Sequence, residues 1–303
     1  MNNIFRFRQG QPVTWFNRNP SESNQFCLYC GRRVGSDPEV ASNKEHLIGR
    51  NFVPKGSLTG DSFNFVFRAC IECNSEKSNA ERHVSTVSLF NSPARLEGRA
   101  INDLAIRKAS KDYHPIAQKL VRDASVPHKI ETEGNGFSSN LHMTSPPQLE
   151  HKSVILLAVR QIQGLFALIT TEDPRIPEKS KILSASNVLV HMNYNYGDWG
   201  NPQLLEIVER TKDWQAPLVV NSASSHFKAI LRLPKSPGEG YFWALEWNKS
   251  VRIVGAICHP NQNPAWLDNL PTLNWWSIPG KDQSRIRMEI PLGENSDYLF
   301  ASQ

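Results

Sequence analysis

The chain has 303 residues and a mass of 34.3 kDa, enough for one large domain or two ordinary ones, each with a buried core. With 39% hydrophobic and 21% charged residues the balance is that of an ordinary globular protein, and no segment reads as membrane-spanning: the most apolar stretch, 154–169, is interrupted by Arg160, Gln161 and Gln163 and reads better as a buried helix. The net charge of +5 is uneven, with 19 Lys+Arg against 12 Asp+Glu in residues 1–130 and 15 against 17 in 131–303, so the first half is the one suited to a polyanionic partner.

In chain order, residues 1–26 are polar with scattered aromatics (Phe5, Phe7, Trp15, Phe16) and read as an extended lead-in. They lack the apolar run of a secretory signal, so a cytoplasmic location is expected. Cys27-Leu-Tyr-Cys30-Gly31 reads as a tight knuckle in which Gly31 supplies an unusual backbone angle. After a loop over 34–44, a short strand brings in Glu45-His46-Leu47-Ile48, and 49–62 form a second loop with turns at Lys55-Gly56 and Gly60-Asp61. Residues 63–67 read as another strand, Cys70-Ile-Glu-Cys73 as a second knuckle, and 74–84 as the start of a helix. On that helix Asn74, Lys77, Ser78 and Glu81 share one face, a pattern that is more often simply solvated. Helical patterns over 93–123 break at His114-Pro115.

Residues 131–148 concentrate Gly, Ser and Pro and read as a linker. Beyond them come a buried helix over 149–170, an amphipathic helix over 202–212 and strands near 226–233, 240–247 and 250–258, with a hairpin turn at Trp247-Asn248-Lys249-Ser250. Seven of the eight tryptophans lie in this half, where core packing is their expected use and a base-stacking platform the rarer one. The lone Cys258 sits in an apolar run and reads as a small buried side chain.

Four of the five cysteines form two Cys-x-x-Cys pairs, a spacing that favours a tetrahedral zinc site over disulfides. Between and behind them stand Glu45-His46, Asn64 and Asn74-x-x-Lys77. This order resembles the HNH endonuclease family in its zinc-bearing form, over about residues 25–85. The resemblance implies a ββα-metal unit that cuts nucleic-acid phosphodiesters with one divalent cation, Mg2+ or another. It makes His46 the general base, Glu45 and Asn74 the cation ligands, Asn64 the residue that orients the imidazole, and Lys77 a phosphate contact. Cys27, Cys30, Cys70 and Cys73 then hold a structural Zn2+. The pattern departs from the family where Gly49 replaces the usual Pro, where Asn74 replaces the stronger His ligand, and where Asn64 sits one residue early, making Asn51 a rival; His83 is a further candidate ligand.

The expected architecture is α+β: an HNH module over 1–90, a helical extension over 91–130, the linker, and a C-terminal domain of helices and an antiparallel sheet over 149–303. The expected activity is metal-dependent hydrolysis of DNA, with double-stranded DNA as partner by the family's tendency. The rival is a zinc-finger-like nucleic-acid-binding protein without catalysis. A third idea makes the C-terminal domain a sensor that restrains the nuclease, as in bacterial or phage defence systems.

Overall fold

The computed structural model describes residues 12–60, 62–134, 137–236, 238–277, 285–293 and 296–301. Phe5 and Phe7 of the lead-in, Asp61 of the loop turn, and residues 135–136 of the expected linker lie outside them. Four α-helices and several sheets are present among the described residues, a mixed α and β architecture.

The N-terminal part is a strand–strand–helix unit. Strand β1 (Val13–Thr14) lies parallel to β3 (Phe65–Cys70), and β3 pairs on its other side, antiparallel, with β2 (Ser42–His46). Helix α1 (Ile71–Phe90) follows β3 without a break, because Cys70 ends the strand and caps the helix by accepting a hydrogen bond from the Cys73 N–H. Trp15 of the lead-in packs edge-on against Phe65. A shorter helix α2 (Arg99–Ala109) lies against α1, followed by the two-residue strands β4 (Tyr113–His114) and β5 (Lys119–Leu120).

The stretch read as a linker is paired instead. Strands β6 (Val126–Gly134) and β7 (Phe137–Ser145) form an antiparallel hairpin, with Gly134, Ser138, Ser139 and Ser145 inside its strands. Helix α3 (His151–Thr170) then enters the interior. It is long and apolar enough to cross a membrane, yet most of its surface is covered by the rest of the protein. Its two buried glutamines explain the polar interruptions: Gln161 Oε1 accepts from Trp247 Nε1 (2.9 Å), and Gln163 Nε2 donates to the carbonyls of Tyr29 (2.9 Å) and Leu183 (2.8 Å).

The C-terminal part is an antiparallel sheet of five strands in the order β8 (Val188–Asn195), β12 (Val251–Ile257), β11 (Tyr241–Trp247), β10 (Phe227–Arg232) and β9 (Leu218–Ser222). Both its faces are covered, which is why β11 and β12 read as continuous apolar runs. One face, with Phe227, Leu231, Trp243 and Leu245, packs on α3 and on Phe52, Phe63, Phe65 and Phe67 of the N-terminal part. The other, with Ile230, Phe242 and Val254, packs on helix α4 (Pro202–Thr211) and on Trp199, Trp214 and Trp266. Side chains from the two expected parts therefore share one core. Five of the seven tryptophans of this half are buried, and Trp275 and Trp276 are exposed. Asn248 and Lys249 both have positive φ in the three-residue connection 248–250 between β11 and β12, whose ends pair Trp247 with Val251. Cys258 is half-buried just past β12, its thiol donating to the Gln262 carbonyl.

Candidate metal centre

The first knuckle closes through Gly31, whose φ of +76° lets its N–H reach back to the Cys27 carbonyl (2.9 Å). The second is the β3–α1 junction. Their four sulfurs, from Cys27, Cys30, Cys70 and Cys73, all lie within 4.8 Å of one another. Cys70 Sγ is 3.8 Å from Cys27 Sγ and 3.7 Å from Cys30 Sγ. Zinc bonded to sulfur at about 2.3 Å sets tetrahedral sulfurs about 3.8 Å apart, so the residues fit the ion. No disulfide is formed.

The surroundings suit a four-thiolate zinc, which carries two net negative charges. Arg32 places its guanidinium on the cluster, Nε on Cys30 Sγ (3.3 Å) and Nη2 on Cys70 Sγ (3.4 Å), and pairs with Glu72 (2.5 Å). Helix α3 holds the knuckle from the other side. Arg160 Nη1 (3.0 Å) and Gln163 Nε2 both donate to the Tyr29 carbonyl, and Arg160 also stacks on the Tyr29 ring. None of these helpers was singled out from sequence; an Arg two residues beyond Cys30 was the available signal for Arg32.

Strand alternation sends Asn43 and Glu45 of β2 toward α1 and sends Lys44 and His46 the other way. Glu45 is thereby buried in a triad. Lys77, 1% exposed, donates to Glu45 Oε1 (2.7 Å), Glu81 Oε1 (2.7 Å) and the His46 carbonyl (3.0 Å). The Tyr29 hydroxyl donates to the same Glu45 oxygen (3.0 Å); no group among the described residues bonds Glu45 Oε2. Burial disfavours the Lys77 ammonium, but the Glu81 and Glu45 carboxylates outweigh it and raise its pKa. Burial raises the Glu81 carboxyl, with Lys77 opposing. Lys77, expected at the substrate phosphate, is thus an interior counter-ion instead. The triad also accounts for Gly49: its N–H donates to Glu81 Oε1 (3.1 Å), a bond that proline has no hydrogen to make.

No family model, curated protein or solved structure matches this chain.

The remaining candidates fall into three groups. Asn74, in the first turns of α1, crosses to β2, its Nδ2 bonded to Asn43 Oδ1 (2.6 Å) and the Lys44 carbonyl (3.4 Å), while its Oδ1 accepts from Ser78 (3.4 Å). His46 ends β2 with a half-buried ring, and among the described residues no hydrogen bond joins that ring to Asn64. Its pKa is lowered to about 4, by burial first and then by the charges of Arg50, Lys44 and Lys77, so the imidazole is neutral. Asn64 acts one step away: it bonds both polar groups of the Ile48 backbone (3.2 and 3.0 Å) and fixes the chain just after His46. Asn51 and His83 are elsewhere. The Asn51 carbonyl accepts from Lys108 and Ser85, and His83 Nε2 accepts from the Glu150 N–H (2.9 Å) at the start of α3. Chemically, the arrangement offers a soft four-sulfur site and, on the side of β2 that faces α1, the carboxylate of Glu45 and the amide of Asn74, with the neutral His46 imidazole leaving the strand on its opposite side.

Proposed function

We propose that this chain is a metal-dependent endonuclease of the HNH type, with zinc as scaffold and a hard cation as cofactor. The observation that carries the reading is the crossing of β2 over the first turns of α1. Asn74 meets Asn43 at 2.6 Å, on the strand that next delivers Glu45 and His46. The cysteine cluster supports it by tying the first knuckle to the junction from which α1 departs.

In this reading Glu45 and Asn74 would hold Mg2+ or a similar ion. Such an ion would supply positive charge to the phosphate and to the departing 3′ oxygen. His46 takes the proton from the attacking water at a ring nitrogen. Asn64 keeps the loop after His46 in place through Ile48, and Lys77 holds Glu45 in position by its ion pair to Oε1. The 2.7 Å bond from Lys77 to Glu45 also favours a second reading. An acid already neutralised by an ammonium suits a zinc-clamped nucleic-acid-binding protein without catalysis.

Supercoiled plasmid separates the two. Zinc-loaded protein freed of other ions should nick or linearise it only after Mg2+ or Mn2+ is added, and Glu45→Gln and Asn74→Ala should each slow cutting by about a hundredfold or more. Plasmid that is bound but never cut with either ion would favour the second reading.

A further inference from the structure

A cleft of 530 Å³ opens between the loop that follows β2 (49–55), the outer side of α1, and α2. Six basic side chains line it: Arg50 and Lys55 from the loop, Arg82 from α1, Arg107 and Lys108 from α2, and Lys111 just beyond it. Two acids share the lining, and both are engaged. Glu81 is bonded by Lys77 and the Gly49 N–H, and Asp112 by the Thr86 hydroxyl. Among the described residues no carboxylate forms an ion pair with Arg50, Lys55, Arg82, Arg107 or Lys111, and all five are exposed. Like charges do not gather unpaired in a concave wall without a cost, and a polyanion removes that cost.

The sixth base does something different. Lys108 is drawn inward, its Nζ donating to the Asn51 carbonyl (2.8 Å) and the Ser85 hydroxyl (2.5 Å). It ties α2 to the loop and to α1, so the three walls are fixed relative to one another. The cleft also reaches the candidate site. Ser78 on its rim donates to Asn74, and Gly49 on its floor lies three residues past His46.

We infer that this cleft is a binding groove for the phosphodiester backbone of DNA, in which α2 and the residues just after it, outside the strand–strand–helix unit, supply half of the basic wall. The inference rests on the nuclease reading only for the choice of polymer. Arg107 and Lys111 hold backbone phosphates on one side and Arg50 and Lys55 on the other. These contacts carry no sequence information and set where along the strand the site comes to rest.

The test is Arg107→Glu with Lys111→Glu, two exposed positions on or just beyond α2. Binding of a fluorescein-labelled 20-base-pair duplex is followed by anisotropy across a NaCl series, with zinc bound and no magnesium. Wild-type protein should bind, and the variant should bind about tenfold or more weaker at 0.1 M salt, with its log K against log salt slope shallower by about 2, near 0.9 per lost phosphate contact. Circular dichroism and zinc content should match the wild type. Unchanged affinity and slope, or a wild type that does not bind, would overturn the groove. Because no cutting is needed, the two readings fail separately: binding that depends on Arg107 and Lys111 in a protein that never cuts keeps the groove and removes the nuclease.

Discussion

Replacing Lys77 by methionine tests the triad that joins β2 to α1. Methionine keeps the stem's volume and removes the ammonium, so little cavity opens and the change is mainly electrostatic. Two buried carboxylates lose their shared counter-ion at 2.7 Å, and the His46 carbonyl loses a donor at 3.0 Å. Breaking a buried ion pair from one side costs about 3–5 kcal/mol. The Tyr29 hydroxyl still serves Glu45 and the Gly49 N–H still serves Glu81, which keeps the loss within that range. Against a total stability of about 5–15 kcal/mol the loss is large. It also depends on pH. Burial already pushes the Glu81 carboxyl up, and without the ammonium it takes up a proton at higher pH still. A folded pKa above the unfolded one adds stability at low pH that is lost as pH rises, so the deficit is largest at pH 8 and smaller at pH 6. Urea denaturation at the two pH values measures it, and Glu81→Gln added to the variant should recover part of it. A deficit under about 1 kcal/mol at pH 8, or one that does not change with pH, would refute the reasoning.

Other outcomes follow from single contacts. Cys73→Ser should abolish tight binding of one zinc per chain, read by metal analysis after dialysis, and should open the β3–α1 junction to protease; full retention of zinc would contradict the four-sulfur site. In Gly164→Ala the new Cβ lies 2.5 Å from Leu47 Cδ1, so a loss of about 1–2 kcal/mol is expected after about 1 kcal/mol of helix propensity is credited. A stabilised variant would mean that Leu47 moves aside freely. His83, its pKa lowered to about 4 by burial and by His114, is neutral when folded. The unfolded chain binds that proton near pH 6.5, so this contribution is intact well above pH 6.5 and falls as pH drops toward 4, by about 1 kcal/mol at pH 5.5. His83→Gln should remove that part of the pH dependence in urea titrations at pH 7.5 and 5.5.

What the sequence revealed best was governed by local rules. Two Cys-x-x-Cys pairs, a glycine after the first, and a strand run that ends in the second were enough to place the knuckles and α1. Apolar runs and the Asn248-Lys249 turn placed α3, α4, β10, β11 and β12. Strands β8 and β9 were missed because the polar residues of Val188–Asn195 and the brevity of Leu218–Ser222 left them weak signals. The hairpin of β6 and β7 was hidden by a composition that suits a tether equally well. Lys77 shows the deeper limit. Its spacing from Asn74 put it on a plausible polar face, but only the packed structure shows two carboxylates closing on it from β2 and from one turn further along α1. Arg160 and Gln163, read as interruptions of an apolar helix, grip the Tyr29 knuckle from more than a hundred residues away in sequence. Such contacts depend on tertiary approach, which no local pattern encodes.

The most direct test is plasmid cleavage by the His46→Ala protein, with zinc content measured on the same sample. The ring is half-buried at the end of β2 and makes no bond to the cysteine cluster, so the variant should keep its zinc and its fold. It should then bind plasmid as the wild type does and fail to cut it with Mg2+ present. A zinc-loaded His46→Ala protein that cuts at the wild-type rate would contradict the account.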